Sequence, residues 1–125
     1  ARLMKTNRRL GQGQADWLAQ HWAQPGPDGQ WRILGDSAHK VINPYLFRVE
    51  EALAMYQRIS APVLAVEASD DSLSQWWKGK YTLAEFHERL KSVPHLEKAM
   101  IEDAGHMLHH DQPHALARIL ETFLD

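Results

Sequence analysis

The spacing of apolar positions changes along the chain. In the first half it is helical. Ala15, Leu18, Ala19 and Trp22 recur at i, i+3, i+4 and i+7, which predicts a helix over 14–22 with one apolar face. Val49, Ala52, Leu53, Tyr56 and Ile59 repeat the pattern and predict a second helix over 49–59. Between them, Pro25-Gly26-Pro27-Asp28-Gly29 is a break with a turn at Asp28-Gly29. Trp31 to Asp36 fits strand or loop equally, and Asn43-Pro44 is a further break. After Ser60 the pattern shifts. Pro62 opens a continuous apolar run, Val63-Leu64-Ala65-Val66, as in a parallel strand buried on both faces. The proline stands at the first strand position, where it is tolerated. Thr82-Leu83-Ala84-Glu85 is a capping box, and Leu83, Phe86 and Leu90 give the helix behind it an apolar side that ends at Val93-Pro94. Leu96 to Glu102 reads as a second strand. Asp111 then serves as N-cap and Pro113 stands just inside a last helix faced by Ala115, Leu116, Ile119, Leu120 and Phe123.

Two apolar strands joined by a helix make one βαβ unit, for which a right-handed crossover is expected. The fold class is therefore α/β, with a helical segment over 1–60 and a βαβα part with parallel strands over 61–125. No internal repeat or low-complexity tract interrupts this order.

Composition narrows the function. The chain has 125 residues, 44% of them apolar, enough for one core. A net charge of −2 gives no electrostatic case for nucleic acid or an anionic membrane. No apolar run reaches transmembrane length and no secretory signal opens the chain. Cysteine is absent, which removes disulfides and thiol chemistry and fits a cytoplasmic protein. The opening Ala1-Arg2-Leu3-Met4 reads as mid-chain sequence, as in a fragment.

The chemistry concentrates at the two strand ends. Asp70 and Asp71 follow the first strand, and Gly105-His106 follows the second. Functional groups in open α/β sheets collect at the carboxyl ends of strands. Neighbouring parallel strands lie roughly 5 Å apart, so an acid after one can orient an imidazole after the other. Gly105 allows a sharp bend just before the histidine, and a histidine so placed is suited to act as a base. The bland alternative is a loop histidine beside aspartates that solvate a turn.

The succession Gly105-His106, Asp111-Gln112-Pro113 and an apolar helix resembles the C-terminal end of an α/β-hydrolase. Pro62 to Asp71 resembles that family's penultimate strand and acid loop, with Ala68 where a glycine is usual. The resemblance implies His106 as general base and acid, and Asp71 as its orienting acid, with Asp70 as the alternative. It also implies that residues 1–58, including Asp36-Ser37-Ala38-His39-Lys40 and Asn43-Pro44-Tyr45, form a helical lid like that of esterase-like and serine hydrolase-like members. The substrate would be a small molecule with an ester, amide or similar bond, and no cofactor would be needed.

The chain departs from the family in one decisive respect. No Gly-x-Ser-x-Gly elbow and no HGGG-type oxyanion loop occurs in it, so base and acid have nothing of their own to activate. The competing class is a non-catalytic half-domain that self-associates or binds a partner. In either case a homodimer, or a complex with a missing N-terminal half, is expected. His106, His109, His110 and His114 are dense enough to suggest a metal, but a helix start between His110 and His114 breaks their i, i+4 relation, so no metal is assigned. His21, His39, His87 and His95 read as surface residues. Trp76-Trp77 either lines a pocket mouth or packs under its loop. Trp17 and Trp22 lie on different faces of their helix, one to pack and the other to face substrate.

Overall fold

The computed structural model describes residues 2–125, which form helices and two small sheets. The chain separates into two compact units, 1–46 and 47–125. The second begins ahead of the boundary drawn near Ser60, because the helix over 49–56 belongs to it.

In the first unit, α1 (Arg2–Thr6) and α2 (Gln12–Trp22) precede a hairpin of β1 (Ala23–Pro25) and β2 (Trp31–Ile33). Helix α2 starts two residues earlier than its apolar spacing implies, where the Gln14 side chain accepts from the Gly11 N–H at 3.2 Å. It buries Ala15 and Leu18, and both Trp17 and Trp22 are exposed, so neither tryptophan packs into a core. The hairpin turns where Asp28-Gly29 predicts, with Gly29 left-handed at φ 73°. Asp28 caps this turn by accepting from Gln30 N and pairs with Arg32 at 2.8 Å. The ambiguous Trp31 segment is thus a strand, paired antiparallel from Ala23↔Ile33 to Pro25↔Trp31. A single 3-10 turn, Ser37–Lys40, follows Asp36, whose carboxylate caps it.

The second unit carries α3 (Val49–Tyr56), β3 (Val63–Ala68), α4 (Ser72–Trp76), α5 (Leu83–Leu90), β4 (Leu96–Ile101), α6 (Leu108–Asp111) and α7 (Pro113–Leu124). The periodicity of α3 holds: Val49, Ala52, Leu53, Tyr56 and Ile59 are half-buried, and their neighbours are exposed. Strands β3 and β4 pair in parallel, in register from Val63↔Leu96 to Ala68↔Ile101. The capping box forms as predicted, with Thr82 accepting from Glu85 N at 3.2 Å and Glu85 accepting from Thr82 N at 2.9 Å.

The pleat divides the sheet. Leu64, Val66, Ala99 and Ile101 share one side, where Leu64 and Ala99 line an open groove of about 400 Å³ together with Ala115, Ile119 and Phe123 of α7. Glu67 points to the other side, toward α5. Every residue of β3 is only half-buried, because this sheet stops at two strands. The full burial expected of Val63–Val66 is not reached.

The reading of His87 as a surface residue is corrected. Leu83, Phe86, His87 and Leu90 follow i, i+3, i+4, i+7, so His87 shares the inner face of α5. Its Nε2 meets Glu67 Oε1 at 2.5 Å, with the Glu67 side chain only 11% exposed. This bond ties the crossover helix to the strand. A double-mutant cycle of Glu67→Gln and His87→Phe, read by urea unfolding, is expected to give a coupling of about 1–3 kcal/mol.

Candidate functional site

Backbone hydrogen bonds join the loops that leave β3 and β4. Ser69 N donates to Ile101 O at 2.9 Å and Asp70 N donates to Ala104 O at 3.1 Å, while Ser69 Oγ accepts from Ala104 N at 3.5 Å. Ala104, fully buried, anchors the seam. The sequence-predicted acids and His106 therefore stand on two loops tied together at one edge of the sheet. The parallel register produces this: strands of equal length that start opposite each other also end opposite each other.

The turn before His106 differs in detail from the expectation. The left-handed residue is Asp103, at φ 51°, and the glycines with positive φ among the described residues are Gly29 and Gly79. Aspartate tolerates this region because its short polar chain can bond locally. Gly105 contributes its N–H, which donates to Asp111 Oδ2 at 2.9 Å. Asp111 accordingly is not the N-cap of α7. It closes α6, and its carboxylate braces the loop that holds His106, while Gln112 precedes Pro113 at the helix start. Gln112 Nε2 also donates to Asp103 O at 3.3 Å, so both ends of the His106 loop are fastened.

His106 is exposed, and its ring lies 6.2 Å from that of Trp76. Asp71 caps α4: Oδ1 accepts from Ser74 N at 2.9 Å and Oδ2 from Ser74 Oγ at 2.6 Å. No hydrogen bond joins Asp71 to His106 among the described residues. The sequence brought the two loops together correctly, but the carboxylate is turned to its own helix, because two serine donors one turn away meet its oxygens locally.

Two groups here titrate away from their ordinary values. The side-chain and backbone hydrogen bonds from Ser74 hold the Asp71 carboxyl below the usual 3.8. Burial, reinforced by the neighbouring His109, lowers His110 below 6.5, and Asp111 opposes this. In both cases the unfolded chain binds the proton more readily than the folded one. Stability is then fully present above the unfolded value and is lost as pH falls through the folded one. Acid should weaken the fold first below pH 6.5, through His110, and again below 3.8, through Asp71. Urea midpoints against pH are expected to lose the first step in His110→Gln and the second in Asp71→Asn.

Among the described residues, no three histidine, aspartate or glutamate side chains converge as a metal would require. No helix among them is long and apolar enough to cross a membrane. Sequence reasoning missed the Trp76–His106 pairing, since the residues lie 30 positions apart and only the sheet register joins them. Comparisons with protein-family models, curated proteins and solved structures find no match for this chain.

Proposed function

We propose that this chain carries the histidine and acid of a serine-type α/β-hydrolase acting on an ester, amide or similar bond of a small molecule. His106 is the general base and acid, and Asp71 its orienting partner, with Asp70 as the alternative. The nucleophile comes from residues outside these 125, because no elbow serine lies within them. The observation that carries the reading is the pair of hydrogen bonds, Ser69 N to Ile101 O and Asp70 N to Ala104 O, that set acid loop and histidine loop side by side. A turn of the Asp71 side chain away from Ser74 is required for it to reach the imidazole. A cytoplasmic setting belongs to the same proposal.

A fluorophosphonate, which phosphonylates only activated serines, tests the reading. It should leave every serine of the isolated chain unlabelled and should label one serine of the protein that joins this chain to its nucleophile. Labelling there that is unchanged by His106→Ala would overturn the assignment.

A second reading has its own observation. Tyr45, Leu46, Phe47, Met100 and Leu124 are all exposed, as in a half-domain that associates through apolar surface.

A further inference from the structure

Trp76 and Trp77 are neighbours in sequence but have different surroundings. The Trp77 ring meets Tyr81 edge-on at 6.4 Å, and Arg89 lies over that tyrosine at 4.4 Å from the ring centroid. Trp77 leans on this pair of side chains, though it is still 57% exposed. Trp76 is 77% exposed, and its ring contact is with His106, tilted by 38°.

The backbone under Trp76 is fixed at both ends. Asp71 caps the start of α4 through Ser74, and Leu83 N donates to Ser74 Oγ at 3.4 Å. At the far end Lys78 and Gly79 turn left-handed at φ 52° and 74°, and Gly79 N closes onto Ser74 O at 3.0 Å. A large indole is thus held in water on an ordered turn, beside an exposed histidine whose ring makes no hydrogen bond among the described residues. A flat aromatic ligand recovers the burial the indole lacks, and the imidazole can bond a polar group on that ligand. Little ordering remains to oppose binding, since the turn is already closed.

We propose that Trp76 and His106 form a binding site for a small aromatic carbonyl compound, the indole stacking on its ring and the imidazole meeting its oxygen. Taking that ligand as substrate rests on the hydrolase reading and narrows it to aryl esters or amides; in the complete enzyme the imidazole serves the nucleophile's proton instead, and the indole holds the ring. Trp76 is then the residue that sets specificity.

Acetophenone tests the site, because it carries the ring and the carbonyl without a scissile bond. It is titrated into the 125-residue chain while the ring resonances of His106 and the indole N–H of Trp76 are followed by NMR. Both signals should move together and saturate. Trp76→Ala should weaken binding about fivefold, the value of one aromatic contact, and Trp77→Ala less than twofold. Cyclohexyl methyl ketone, which has the carbonyl but no flat ring, should bind more weakly than acetophenone. Equal affinity of the two ketones, unchanged affinity in Trp76→Ala, or a His106 signal that stays still would each overturn the proposal. None of these readings needs a nucleophile, so binding can hold even if the fluorophosphonate result removes the hydrolase reading.

Discussion

Exchanging His106 for alanine, in the protein that unites this chain with its nucleophile, should lower kcat toward an activated aryl ester by about 10⁴-fold or more, with KM little changed. The imidazole acts on the proton of the nucleophile in the transition state and contributes little to ground-state binding, which is why the loss falls on kcat. Asp71→Asn separates two roles. If Asp71 turns from Ser74 to orient the imidazole, kcat falls by a similar order, since the asparagine favours the wrong tautomer. If it only caps α4, kcat falls modestly and the main change is a slightly lower unfolding midpoint, from the lost acceptor for Ser74 Oγ, since the asparagine oxygen still accepts from Ser74 N. The same assay on Asp70→Asn decides between the adjacent acids. A His106→Ala protein that keeps more than a tenth of its kcat would remove His106 from the mechanism.

Local chemistry in the sequence reached far into this structure. The capping box at Thr82, the turn at Gly29, the apolar face of α3, that of α7 except for the exposed Leu120, and both strands of the parallel pair all follow from spacing and short-range bonding. What the sequence hid depends on contacts between distant residues. Glu67 sits in an apolar strand and His87 in a helix, and nothing in either neighbourhood names the other as partner. The spacing of His87 from Leu83 and Leu90 was the available signal. Asp111 illustrates a different failure. Its type and its place before Pro113 satisfy the rules for an N-cap, yet the N–H of Gly105 competes for the same carboxylate and takes it. At Asp71 the outcome is reversed: the nearby Ser74 donors outweigh the more distant imidazole. Strand ends and helix starts thus located the candidate site, while the direction of each carboxylate depended on donors that the pattern does not rank.

At micromolar concentration the isolated chain should sediment as a dimer or larger species. Among the described residues, the buried apolar ones are few and mostly small or medium: Leu10, Ala15, Leu18, Leu90, Val93, Ile101 and Ala104. Against these, Trp31, Ile33, Val41, Ile42, Tyr45, Leu46, Phe47, Met100 and Leu124 stand in water. Covering one such side chain is worth about 1.5–3 kcal/mol, while a whole domain is held together by roughly 5–15 kcal/mol net. Burial of three or four of them between chains is therefore comparable with the stability of the fold itself. Each strand of the parallel sheet also keeps one unpaired edge, and the groove between β4 and α7 leaves the helix seam open. Self-association would cover these surfaces with a symmetric pair of chains, and the nucleophile-bearing half of the proposed hydrolase would cover them with added strands. Sedimentation velocity across a dilution series reads the first, and a shift to a one-to-one complex on adding that half reads the second. A monomer that persists to high micromolar concentration and unfolds in one cooperative step would show that the chain tolerates this exposure without a partner.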